Sequence, residues 1–220
     1  MNFETLFRYL RDLGKNNNKA WFHAHRDRYD ALREDFTAWV GDLDARLGRL
    51  KGYERLDDPG AAVEQINNNL LYHPDRPIYK SHFGATLGDR GAGGPDFYVK
   101  VGLHEGYVAA GVRGVEGAPL AAIRAHIDAH GDDLRRVIDA KAFRERFGDL
   151  LRDGQLKTAP RGYDRDHEYV DLLRLKSYAV TRPVSQAEAK RDDFIDEIVE
   201  DYKAARPLLR FLRDARAQAA

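Results

Sequence analysis

The sequence predicts an α+β protein, in which a central antiparallel or mixed sheet packs against long N-terminal and C-terminal helices. Three observations predict it. Apolar residues at helical spacing fill the first fifty positions. Two alternating runs, F-Y-V-K-V-G-L-H and Y-V-A-A-G-V-R-G-V, flank Glu105-Gly106 in the middle and read as a β-hairpin. Helical periodicity returns toward the C-terminus. The order helix, strand, helix is that of segregated elements, and the 220 residues are read as one domain, 1–220.

The elements follow in order. Asn2 caps a first helix whose buried face is Phe3, Leu6, Phe7, Leu10 and Leu13, and Gly14 is expected to end it. Asn18 caps a second helix, expected to run unbroken from Lys19 to Leu50. Its stripe is Phe22, His25, Tyr29, Leu32, Phe36, Trp39, Leu43, Leu47 and Leu50. The Asn-rich stretch from Ala61 to Leu71 reads as a weak strand, and Gly88 to Gly94 as a flexible loop. After the hairpin, Pro119 opens a helix with Leu120, Ile123 and Ile127; further helical pieces follow Gly131 and include Phe143. Leu150 to Lys157 is a candidate strand, Thr158 to Tyr163 a loop, and Leu172 to Val180 ends extended before Pro183. Ser185 and Glu188 match a capping box, with a helix to about Ala204 and a last short helix from Pro207.

Composition excludes several functions. The 36 basic and 36 acidic residues cancel, which argues against coating of nucleic acid or of an acidic membrane surface. With no cysteine there is no disulfide, thiolate nucleophile or Cys-based zinc site. No signal peptide or membrane-spanning run is visible, so a soluble cytoplasmic protein is expected. No Gly-rich nucleotide loop and no G-x-S-x-G elbow occurs. His126 and His130 are four apart on an expected helix, but the residue between them is Asp128 and not the metalloprotease Glu; no structural metal is expected.

The densest polar stretch is Asn67 to Phe83, N-N-N-L-L-Y-H-P-D-R-P-I-Y-K-S-H-F, where Pro74 and Pro77 fix a turn. Asp75, Arg76, Tyr79 and Lys80 from this stretch, with Lys157 and Arg161 from the loop K-T-A-P-R-G-Y, form the candidate ligand-binding set. Basic groups beside a tyrosine suit a small anionic ligand. Were the site catalytic, Asp75 or His73 would transfer the proton, and Lys80 and Arg161 would stabilise negative charge. The alternative is an interaction or structural domain in which the same residues link loops to the sheet. The sequence names no cofactor.

Four stretches together resemble a known family. N-N-N-K-A-W-F at Asn16 to Phe22, D-R-P-I-Y-K at Asp75 to Lys80, K-T-A-P-R-G-Y at Lys157 to Tyr163 and L-L-R-L-K-S-Y at Leu172 to Tyr178 come in that order. Their set resembles the bacterial domain-of-unknown-function family 2461, over nearly the whole chain and including the closing R-P-L-L-R-F-L. Asp75, Arg76, Tyr79 and Lys80 match the family's central motif. Leu71, Asn68 and Asn69 stand where that motif has two arginines and an aspartate, and Ile78 where it has proline. The resemblance implies a family and no mechanism.

Overall fold

A computed structural model describes residues 1–88 and 96–218. The expected glycine-rich loop falls mostly on 89–95, outside the described residues. The elements are those of an α+β protein: helices at both ends and a four-stranded antiparallel sheet of order β1-β2-β3-β4. The strands are β1 (His82–Gly88), β2 (Asp96–Gly102), β3 (Tyr107–Val112) and β4 (Tyr178–Pro183). The chain folds as two compact units. The first holds Met1–Gly88, Tyr98–Val108 and Pro183–Val199; the second is built mainly from Ala109–Arg182 and the chain after Glu200.

In the first unit, α1 (Phe3–Lys15) is capped by Asn2, whose side chain accepts from the Thr5 N–H. The helix passes through Gly14 and closes at Asn16 instead. The second expected helix is two. Asn18 caps α2 (Lys19–Ala24), and α3 (Arg26–Leu47) starts after a break at His25. His25 leaves the helical conformation at φ −120° and ψ 23°, and its Nδ1 turns back onto the Trp21 carbonyl at 2.8 Å. Most of the expected stripe survives the break: Phe22, Tyr29, Leu32, Phe36, Trp39, Leu43 and Leu47 are buried, while His25 at the break and Leu50 beyond the helix end are half-buried. Phe36 and Tyr29 meet Phe83 of β1, and Trp39 stacks on Phe194 with Phe3 against its edge. Burial alternates along the strands. Phe83, Ala85, Val99, Val101 and Val108 face the core, while His82, Thr86, Tyr98, Lys100 and Tyr107 stand on the opposite, polar face.

The expected strand over 61–71 does not form. A short α4 (Pro59–Ala62) is followed by isolated bridges, Val63 to Ala85 and Asn67 to Tyr79. The asparagines divert the backbone: Asn68 Nδ2 donates to the Pro77 carbonyl at 2.8 Å, and Asn69 Oδ1 accepts from the Leu71 N–H at 3.2 Å. Such local side-chain bonds compete with a ladder.

In the second unit, α5 (Gly117–Asp139) is kinked at His130, the break expected beside Gly131, and α6 (Lys141–Phe147) follows. Leu150 to Lys157 is a loop and not a strand. It turns at Gly154, φ +67°, and makes single backbone bonds from Leu151 to Ala179 and from Leu156 to Arg174. A short α7 (Val170–Leu173) precedes β4. Back in the first unit Ser185 caps only α8 (Gln186–Ala189), and the final helices merge in α9 (Phe194–Ala217), whose part from Glu200 belongs to the second unit and continues through Pro207. Tyr202, Ala205, Leu208, Leu209 and Leu212 keep one buried stripe across the proline, so packing outweighs the lost N–H.

Candidate functional site

The site is built around the return of the chain from Asn67 to Lys80. The Asn67–Tyr79 bridge and the bonds from Asn68 N to Ile78 O and from Lys80 N to Ile66 O close the loop at its base. Asn17 clasps the same point from outside: its Nδ2 donates to the Tyr79 carbonyl and its Oδ1 accepts from the Tyr79 N–H, both at 2.9 Å. The Tyr79 ring stacks on Phe22 at 4.2 Å and is buried. Two of the stretches that carry the family resemblance, N-N-N-K-A-W-F and D-R-P-I-Y-K, are thus one joint.

Lys80 and the polar sheet face meet at Glu64. Lys80 Nζ donates to Glu64 Oε2 at 2.9 Å, and His82 Nε2 lies 3.3 Å from the same oxygen. Burial alone would raise the Glu64 pKa, but the hydrogen bonds from His82 and Lys80 and the Lys80 charge overcome it and hold it at about 2. The neighbouring Tyr98 hydroxyl is pushed far above its ordinary range, first by burial and then by the negative charge of Glu64. Gly84 makes room for that hydroxyl, since a Cβ there would come within 2.3 Å of it. The counter-charge of Lys80 is therefore Glu64. Glu64 and His82 were not among the expected site residues, because neither stands out until the 64–68 segment is laid against β1.

Beside this joint lies a groove of about 280 Å³, lined by Phe22, Arg26, Tyr29, Arg33, Ile66 and Asn67, with Gln65 completing the wall. Arg33 is half-buried. Its Nη1 donates to the Glu64 carbonyl at 3.1 Å and its Nη2 to the Gly60 carbonyl at 3.4 Å. Among the described residues it has no acidic partner. Arg26 lies over the Phe22 and Tyr29 rings, with its Nε on Asp30. The arginines were missed because α3 reads as an ordinary mixed charged face; only the approach of Glu64 and Gly60 shows that Arg33 is spent on carbonyls.

The remaining expected residues are placed as follows. Asp75 and Arg76 are exposed on the loop beyond Asn67–Tyr79. Lys157 and Arg161 are exposed in the second unit, on the loop before α7. There Arg174 Nε donates to the carbonyl of Leu156, just ahead of the third stretch, at 2.6 Å, and within the fourth stretch the Tyr178 hydroxyl donates to the Leu172 carbonyl at 3.0 Å. His167, in the same loop, has its Nε2 at 2.8 Å from Asp128 Oδ1. His104 lies in the turn after β2 and not in a strand.

The fold and the joint of its first two motif stretches define an α+β protein with a polar sheet face and a basic groove. The chain belongs to the family of conserved hypothetical proteins DUF2461, whose family model matches residues 5–211. No curated protein and no solved structure matches the chain. Among the described residues no helix is long and apolar enough to cross a membrane.

Proposed function

We propose that this is a soluble cytoplasmic protein that binds a small anionic ligand in the groove of the first unit. The supporting observation is Arg33: a half-buried guanidinium on the groove wall, bonded to two carbonyls and balanced by no carboxylate among the described residues. An uncompensated cation in a partly desolvated groove favours an anion strongly. Arg26 at the rim adds a second charge, the Gln65 and Asn67 amides supply neutral polar contacts, and Phe22 and Tyr29 accept an apolar body. Tyr79 backs the groove through its stack on Phe22, and Lys80 braces Glu64, whose carbonyl holds Arg33. The groove offers no acid–base pair, so the reading is of a binding site. For Lys157 and Arg161 a share in anion binding stays a separate proposal.

A second reading is favoured by the Lys80–Glu64 pair. In it the central motif serves as a structural brace and Lys80 touches no ligand. Thermal unfolding in rising phosphate or sulfate separates the two. A bound anion raises the melting temperature by mass action. The rise should persist in Lys80→Ala, which starts from a lower melting temperature, and vanish in Arg33→Met. Lys157→Ala and Arg161→Ala test the second-unit loop in the same assay. A wild type that ignores both anions, or an Arg33→Met variant that responds as the wild type does, overturns the groove assignment.

A further inference from the structure

The second unit carries a cavity lined by none of the groove residues. It is a cleft of about 690 Å³ between the C-terminal half of α5 and the end of α9. His126 and His130 line one wall and Arg210, Asp214 and Gln218 the other. The two imidazoles stand one helical turn apart, with ring centres 4.7 Å from each other. Residues four apart on a helix share a face, so two such imidazoles can each offer a nitrogen to one ion.

The position of the His126 ring is set by its surroundings. The residue is buried to 7% exposure, with its ring 4.5 Å from Phe211. Its Nδ1 lies 3.0 Å from Gln218 Oε1. With Nδ1 engaged by the Gln218 side chain, Nε2 is the ring nitrogen that has no hydrogen-bond partner among the described residues. Orienting one ring nitrogen on an oxygen acceptor so that the other can ligate is the usual outer-shell arrangement of a metal-binding histidine. His130, exposed at the kink of α5, brings the second imidazole to the same cleft. Asp214 on the facing helix carries an exposed carboxylate on the cleft wall, whose lining also holds Asp133, Arg136 and Arg210.

We propose that His126 and His130 bind a divalent transition-metal ion at this cleft, in an exchangeable site with coordination positions left for water or a small ligand. Imidazole donors suit zinc, copper or nickel and not calcium or magnesium. No group of three or more His, Asp or Glu side chains has metal-holding geometry among the described residues, so the protein supplies two donors and the ion remains open. Such an ion plays no part in the core, and a chelator should remove it without unfolding the chain.

The test is calorimetric titration of the full chain with zinc chloride at neutral pH, with cobalt(II) absorption as a second readout. Saturable binding of one ion is expected. His130→Ala, at an exposed position, should abolish that binding while circular dichroism stays unchanged. Gln218→Ala should weaken it by about tenfold, through loss of the His126 orientation. Absence of saturable binding at millimolar zinc, or zinc binding by folded His130→Ala equal to wild type, overturns the proposal.

Discussion

Asn17 holds Tyr79 as a neighbouring strand would, with one hydrogen bond to its carbonyl and one from its N–H, each at 2.9 Å across 62 residues of sequence. One side-chain amide thereby satisfies both backbone groups of a buried residue. It also fixes the Tyr79 ring against Phe22. Asn17→Ala leaves both groups to find water at a part-buried site. It should destabilise the protein by about 1–3 kcal/mol, read from urea unfolding midpoints. An unchanged midpoint would show that the clasp is dispensable.

Glu64 gives stability a defined acid limb. Its pKa is held at about 2 in the folded protein, below the ordinary carboxylate value of 4.5. A depressed folded pKa stabilises above the unfolded pKa and loses that contribution as pH falls toward the folded one. Unfolding free energy should therefore decline between about pH 5 and pH 2 as far as this group contributes. After discounting for its partial exposure to solvent, the contribution is on the order of 1–2 kcal/mol. In Glu64→Gln that part of the decline should be missing, as measured by denaturant unfolding at stepped pH. A variant with the wild-type acid limb would assign the loss to other carboxylates.

Phe36 lies at the centre of the α3 stripe with no exposed surface, stacked on Trp39 and edge-on to Phe83. Phe36→Ala should cost about 3–5 kcal/mol, and the measurement is equilibrium unfolding. A loss below 1 kcal/mol would mean that the core closes over the cavity.

Gly131 follows the kink of α5, where a Cβ would come within 2.3 Å of the Tyr169 ring. Gly131→Ala should displace that ring and destabilise the protein by about 1–3 kcal/mol, despite the better helix propensity of alanine. A stabilised variant would show that Tyr169 moves freely. Differential scanning calorimetry of the two proteins decides it.

Much of the fold is legible from local pattern because local pattern is physically sufficient for it. Asn2, Asn18 and Ser185 cap helices where they stand, since a cap needs only the N–H groups two or three residues ahead. The α3 stripe and the β2–β3 hairpin follow from periods of 3.6 and 2, which any single buried face imposes. The family was legible too, because four short stretches in order are a property of sequence alone.

What tertiary structure decided lies where a residue's partner is distant. His25 breaks a helix whose stripe is continuous; the segment 61–71 forsakes its strand for asparagine-held turns; and α9 runs through Pro207 because its packing outweighs the missing hydrogen bond. Charge pairing was the least legible. Lys80 stands near Asp75 in sequence but is neutralised by Glu64, sixteen residues away, and Arg33 meets backbone carbonyls instead of acids. Sequence sets which charges exist and which helix and strand faces they occupy. Only the approach of separate segments sets the distances on which electrostatic energy depends, and those distances pair Lys80 with Glu64 and leave Arg33 without a carboxylate partner among the described residues.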